Sequence, residues 1–300
     1  MIQIMKNHQS RHYSMEQLYQ MLDTSRQSVA QSNKRKLINS NTEDQLISSI
    51  KEWRKHHPKM GSRQMYYSLI NHGTQIHIGI NKFEQMVSRR GLGAGPAKSF
   101  KPLTSDGKGK ESYPNLTNGL IINDINQLIV GDITYFDIKG TWHYICTLKD
   151  VYSQYILSLV ANNNMKTQNL IQAITECAQI RTSKALQHCI HHSDNGSQYN
   201  ATAYKAKLKS LGMRISRAEG CQQNGSSEQL NHIIKNMYLN HWSIHSLKEL
   251  RQACKELKYL NNHQRTISQL GNKTPYDFET HIQSVPIKQR TQKQMYDFTK

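Results

Sequence analysis

Long apolar runs are missing from this 300-residue chain. No window comes near the ~18 uninterrupted apolar residues that a membrane span needs, and the mean hydropathy is −0.72. The opening Met1-Ile2-Gln3-Ile4-Met5-Lys6 lacks the layout of a secretory signal. No membrane partner is expected. Cysteine is scarce too: Cys146, Cys177, Cys189, Cys221 and Cys254 are scattered, odd in number and never spaced as CxxC. That usage fits a reducing cytoplasm and argues against a structural zinc site. His188, Cys189, His191 and His192 do cluster, but in a short strand pattern whose alternate side chains face opposite ways. The third shortage is of acid. Asp and Glu number 21 against 39 Lys and Arg, a formal charge of +18, and a polyanion is the natural partner. Residues 1–112 carry 18 basic and 8 acidic groups, residues 113–300 carry 21 and 13. A basic tail on a neutral enzyme would look different, so both halves are expected to touch nucleic acid.

Two phosphate-loop look-alikes fail on inspection. Gly91-Leu92-Gly93-Ala94-Gly95 follows no strand, and the run Gly93–Ser99 has Ala97 where glycine is required, with Pro96 inside it.

The first third is helical in pattern. Met15–Leu22, Asp23-Thr24 and Ser25–Ala30 outline two short helices around a tight turn, followed by the basic run Lys34-Arg35-Lys36. A helix-turn-helix has this outline, and so does any helical hairpin. Asn41 or Thr42 can cap a further helix with an acidic first turn and an apolar stripe of Leu46, Ile47, Ile50 and Trp53. Helices are predicted from near Ser62 and near Asn81, burying Met65, Tyr66, Leu69, Ile70 and then Phe83, Met86, Val87. Gly, Pro and Lys then crowd the stretch from Ala94 onward, which reads as a linker.

Beyond the linker the period changes. Strands are expected over 128–138, 141–149 and 155–160, then a helix over 166–181, a strand at 189–191, a helix over 202–211 and a strand at 213–215. Helices over 226–241 and 247–260 close the pattern. The fold class is therefore α/β with a mixed sheet, preceded by a small all-helical, helix-turn-helix-like region. The boundaries are a helical arm at 1–40, a helix-turn-helix-like domain fit to bind DNA at 41–93, a basic linker at 94–122, an α/β core at 123–283 and a basic tail at 284–300.

Three acidic residues stand in distinctive surroundings: Asp132 in Gly131-Asp132-Ile133-Thr134-Tyr135, Asp194 in His191-His192-Ser193-Asp194-Asn195-Gly196-Ser197-Gln198-Tyr199, and Glu228 after Gly225-Ser226-Ser227. Asp132 falls within the first strand and Asp194 directly follows the fourth. If those strands pair side by side, the carboxylates converge at one sheet end. Glu228, Asn231, His232 and Lys235 follow one helix face at i, i+3, i+4 and i+7, opposite the stripe Leu230, Ile233, Ile234 and Met237. Glu219, which precedes that helix, and Asp150, which ends the second strand, are the spare carboxylates.

These motifs resemble the DDE transposases of bacterial insertion sequences, specifically the retroviral-integrase-like enzymes from the second frame of two-frame elements. Asp132-Ile133-Thr134-Tyr135, His192 through Tyr199, Lys235 seven residues after Glu228, and Tyr259–Arg265 with Lys273-Thr274-Pro275 carry the resemblance. Lys59–Arg63 through Ser88–Leu92 looks like the family's upstream helix-turn-helix-like region. The resemblance implies an RNase H-like core in which Asp132, Asp194 and Glu228 hold two Mg²⁺ or Mn²⁺ ions about 3.5–4 Å apart and perform metal-dependent DNA cleavage and strand transfer. No covalent enzyme intermediate is implied, so Ser193 and Ser197 are not nucleophiles. Lys235, Arg63, Arg89 and Arg90 are the implied DNA contacts. It further implies double-stranded DNA (element ends and target) as substrate, a homo-oligomer on that DNA, a helix-turn-helix partner protein from an upstream frame, and a nucleoid-associated place in a bacterial cytoplasm. A catalytically inactive DNA-binding copy of the same fold is the runner-up, and a ribonuclease H acting on hybrids comes third. Two departures stand out: residues 195–227 make a spacing of 33, slightly short for the family, and the tryptophan often found just before the first aspartate is replaced within Leu128-Ile129-Val130.

Overall fold

The computed structural model describes residues 14–95, 113–218 and 220–298, with the backbone alone at 35–41 and 221–222. The chain divides into two compact units, Met1–Glu52 and Trp53–Lys300. In the first, α1 (Met15–Met21) starts on Ser14, whose hydroxyl accepts from the Gln17 amide at 3.2 Å while the Gln17 side chain accepts from the Ser14 amide at 2.7 Å. This reciprocal box satisfies two donors at the helix start. After a turn at Asp23, α2 runs unbroken from Arg26 to His56. The helix start expected at Asn41 or Thr42 is therefore absent, and no helix end marks the 40/41 boundary. Residues 26–56 contain no glycine or proline, and Ser, Asn and Thr each cost only tenths of a kcal/mol inside a helix. A capping residue starts a helix only where the chain also breaks. Of the basic run Lys34-Arg35-Lys36, the side chains of the last two lie outside the described residues.

The second unit begins with the end of α2, then α3 (Ser62–Asn71) and α4 (Ile80–Arg89). Met65, Leu69, Phe83, Met86 and Val87 are buried, and Tyr66 meets Phe83 edge-on at 5.3 Å. Arg54 fastens this segment: its guanidinium donates to the Leu92 carbonyl at 3.1 and 3.2 Å and to the Met60 carbonyl at 2.5 Å. The connection from His72 to Gly79 is longer than the three- or four-residue turn of a simple helix-turn-helix.

The rest of this unit is built on a five-stranded sheet: β1 (Leu128–Ile138), β2 (Thr141–Asp150), β3 (Ile156–Asn162), β4 (Ile190–Ser193) and β5 (Arg214–Arg217). Its order is β3-β2-β1-β4-β5, with the first three antiparallel and β4 and β5 added parallel. Between β3 and β4 lies α5 (Thr167–Arg181), and between β4 and β5 lie the short α6 (Ser197–Asn200) and α7 (Thr202–Ser210). Alternation along the strands sends Ile129, Cys146 and Leu148 to one face, against Leu170, Ile174, Cys177, Tyr204 and Leu208. The other face carries Phe136, Ile138 and Ile145 against Leu230, Ile234, Leu250 and Leu257, from α8 (Gly225–His232) and α9 (Leu247–Tyr259). A three-stranded meander extended by parallel strands, with helices on both faces, is the RNase H-like arrangement.

Residues 96–112 of the expected linker lie outside the described residues. Its last part is packed: the Leu116 amide donates to Ser216 Oγ at 2.9 Å, and the Arg217 guanidinium lies 5.6 Å from the centroid of the Tyr113 ring. The expected basic tail is packed as well. Lys293–Gln294 pairs antiparallel with Ile121–Ile122, and the Tyr152 hydroxyl donates to the Thr291 carbonyl at 3.0 Å. Gly, Pro and Lys content suggested loose segments, but the apolar anchors Tyr113, Leu116, Leu120 and Met295 decide otherwise. A further helix, α10 (Pro275–Gln283), was not foreseen; Thr274 caps it and Pro275 opens it.

Candidate active site

Two carboxylates come together through strand register. In the parallel pairing of β1 with β4, Leu128 faces Ile190, Ile129 faces His191 and Val130 faces His192. Two residues further along each strand stand Asp132 and Asp194. Gly131 allows this approach: a Cβ there would lie 2.9 Å from His191 Cε1 and 3.0 Å from Leu148 Cδ2. Asp132 Oδ1 accepts from the Ile133 amide at 2.9 Å and Oδ2 from Asn231 Nδ2 at 2.6 Å. Asp194 Oδ1 accepts from the Gly196 amide at 3.1 Å. Burial, and then the charge of Asp194, push the Asp132 carboxyl up to about 7. Burial raises Asp194 as well, opposed by the Gly196 bond and by Arg217. Two crowded carboxylates of this kind favour a proton or a cation between them.

Helix α8 lies on the same sheet face as Asp132 and carries Glu228 in its first turn. Asn231, one turn on, makes the bond to Asp132 just described. Just before Glu228, the Ser226 carbonyl accepts from Lys149 Nζ at 2.8 Å. His192, on β4, donates through Nε2 to the Gln223 carbonyl at 3.2 Å, and its Nδ1 accepts from Ser216 Oγ at 2.8 Å. Glu228 itself is exposed, and its charge acts on Asp132 less than that of Asp194 does. Among the described residues, no three His, Cys, Asp or Glu side chains are gathered closely enough to hold an ion. The structure thus brings Asp132 and Asp194 together and leaves Glu228 beside them, on a tethered helix. Two buried polar atoms next to it, Ser227 Oγ and Asn231 Oδ1, have no partner. Glu219 lies outside the described residues. Asp150 is fully buried and bonded to the Asn126, Tyr152 and Ser153 amides, a strand-end role away from the pair.

A family model described as an integrase core domain matches residues 123–219, which contain both aspartates. A 31 kDa protein of insertion element IS600 from Shigella sonnei is 28% identical over 222 residues, covering 73% of this chain and 80% of that protein. The transposase of insertion sequence element IS629, also from Shigella sonnei, is 24% identical over 226 residues, 74% of each. Over 73–74% of its length this chain is thus similar to insertion-element proteins, a transposase among them, and residues 123–219 match an integrase core domain. Among solved structures, the catalytic core domain of HTLV-2 integrase is similar at a TM-score of 0.41 and 17% identity, over 52% of this chain and 97% of that one.

The expected DNA-facing residues lie in two regions. Lys235 lies in a wider, π-helical stretch, Ile233–Tyr238, that follows α8. The wide turn changes its stagger relative to Glu228, so the α-helical i+7 spacing does not hold. Lys235 is half-buried and close enough to feel Asp132; burial lowers its pKa and Asp132 opposes that. Tyr238, ending the stretch, donates to His57 Nδ1 at 2.9 Å, and His57 Nε2 donates to Gln264 Oε1 at 3.0 Å. Burial brings His57 down to about 4, so it is neutral and this tautomer is the one that fits. Arg63 is exposed and pairs with Glu84 through Nη2 at 2.8 Å and Nε at 3.3 Å. Arg89 and Arg90 are exposed at the end of α4. His192 stood in the motif with no role of its own, and Lys149 escaped the sequence reading, although a lysine inside an otherwise buried strand was the available signal.

Proposed function

We propose that Asp132, Asp194 and Glu228 are the catalytic carboxylates of this DNA strand-cleaving and strand-joining enzyme, and that they hold two divalent ions, Mg²⁺ or Mn²⁺. The observation that carries this reading is the parallel β1–β4 register, which sets Asp132 beside Asp194 at one sheet end. The donor set fits such a cation. Hard carboxylate oxygens suit Mg²⁺, the paired acids are short of positive charge, and buried unpartnered oxygens flank Glu228. Ions bound there supply an activated attacking oxygen and neutralise the charge on the leaving one.

The chain's own residues do the positioning. Asn231 and the Ile133 amide fix both oxygens of Asp132, the Gly196 amide turns Asp194 toward it, and α8 presents Glu228 from above the sheet. Lys235, beside Asp132, is suited to a DNA phosphate. Arg89 and Arg90 offer a second phosphate-binding region on the upstream helices, and Arg63 joins it by releasing Glu84. The partners in this reading are element-end and target DNA, further copies of this chain on that DNA, and a helix-turn-helix protein from an upstream frame, with the nucleoid as the working place. Among the described residues no helix is long and apolar enough to cross a membrane.

The test is cleavage and joining of a duplex copied from the DNA flanking the reading frame, in Mg²⁺. Asp194→Asn is expected to abolish both steps and keep salt-dependent DNA binding. Full activity in that variant would sink the assignment. Binding without metal-dependent cleavage by the unaltered protein would select an inactive DNA-binding role.

A further inference from the structure

Lys149 has no part in the chemistry just described, yet it is buried to 2% exposure next to the end of β2. A lysine is almost never buried this far unless its ammonium group is committed to partners. Here Nζ donates to the Ser226 carbonyl at 2.8 Å and to Gln154 Oε1 at 3.1 Å. Gln154 is held in turn, its amide donating to the Val151 carbonyl at 2.7 Å. Among the described residues no carboxylate forms an ion pair with Lys149. Among the described residues the charges that act on it most are Lys293 and Arg265, of like sign, and then the acid Asp150. Such an arrangement makes a poor stabilising device, so its use lies in what the ammonium holds.

The register shows what that is. Lys149 faces Val130 across the β1–β2 ladder and Thr147 faces Asp132, so Lys149 and Asp132 project on the same sheet face, one alternation apart. Helix α8 crosses that face. Its first turn is gripped at Ser226 by Lys149, and its second at Asn231 by Asp132. Glu228 sits between the two grips with no hydrogen bond of its own among the described contacts. Its position is therefore inherited from the helix, and the helix is fixed on one side by a residue two strands removed from β4.

We propose that Lys149 is a positioning residue for Glu228: it clamps the first turn of α8 to β2, so that the glutamate is held over the Asp132–Asp194 pair. The inference rests on the assignment of Glu228 as the third carboxylate.

Lys149→Met keeps the length of the side chain and removes the donor. Exchanging a poorly paired buried cation for an apolar group is often neutral or stabilising, so the variant is expected to fold with an unchanged or raised melting temperature. In full-length, EDTA-treated protein, amide hydrogen exchange of the peptide covering Gly225–His232 is expected to rise about tenfold, with β1 and β4 unchanged. The Mg²⁺ concentration for half-maximal cleavage of the flanking-DNA duplex is expected to rise about tenfold as well, the size typical of losing a support behind a metal ligand. Lys149→Arg, which keeps a donor, should lie closer to the unaltered protein in both readouts. Unchanged exchange over Gly225–His232 in Lys149→Met overturns the proposal. So does a fall in melting temperature with faster exchange throughout the sheet, which marks a merely structural lysine. Full cleavage by Glu228→Gln would instead remove the assignment of Glu228, while the exchange measurement would still report whether the clamp exists.

Discussion

Asp132→Asn is expected to make the metal-free protein more stable at alkaline pH, even as it destroys catalysis. Folded, the Asp132 carboxyl titrates at about 7; unfolded, it returns toward its ordinary value of 3.8. Between those values the folded state binds the extra proton, so stability falls as pH rises through the window and stays low above it. A gap of about 3 in pKa is worth about 4 kcal/mol. Two effects reduce what the variant recovers. Water at the partly exposed rim of the site screens some of the cost. In addition, the single oxygen of an asparagine cannot accept from both the Ile133 amide and Asn231, which forfeits about 1 kcal/mol. A net gain of about 2 kcal/mol remains, several degrees in melting temperature for a domain of this size. The assay is thermal melting in EDTA at several pH values. The gap between variant and unaltered protein should be widest above pH 7 and shrink as pH falls toward 4. Added Mg²⁺ or Mn²⁺ should raise only the unaltered protein and so narrow or reverse the order. No gain at pH 8, or a gap that widens toward acid, would refute the claim that burial and Asp194 strain this carboxylate.

Gly131→Ala should destabilise the protein by about 1–3 kcal/mol, because its methyl would press on His191 and Leu148 in a packed sheet; with the two aspartate-bearing strands forced apart, cleavage should fall more than DNA binding does in an anisotropy titration. Arg181→Met should cost about 3–5 kcal/mol in chemical denaturation, since it leaves Glu279 buried without its bidentate partner. Should Arg181→Met match the unaltered protein, the Arg181–Glu279 pair contributes nothing to stability, against this reasoning.

The strands around the site were legible because their chemistry is local. Leu128–Ile138 is strand from end to end, as its β-branched and aromatic residues and the Lys139-Gly140 turn foretell. The two aspartates were readable from motif, and their convergence needed only the guess that β4 lies beside β1. Glu228 was placed on the right helix, but its exposure and the wide turn at Ile233–Tyr238 were not readable, because a π-helical stretch leaves no mark in residue pattern. The unbroken α2 was missed for the opposite reason. Ser40-Asn41-Thr42 has the composition of a cap, and composition alone does not say whether a chain breaks. Lys149 required the third dimension: its partner is a carbonyl 77 residues away.

The parallel β1–β4 pairing also sets a timetable. Asp132 cannot meet Asp194 until the chain has passed through β3 and α5 and returned to lay β4 along β1, and such long-range parallel contacts form late in folding. Glu228 comes later still, behind β5 and the start of α8. A ribosome-bound chain that has emerged only as far as the upstream helices and the meander carries the positive charge to adhere to DNA, but no assembled means of cutting it. On the proposed function, the site that would cut DNA is thereby unassembled for most of the chain's own synthesis.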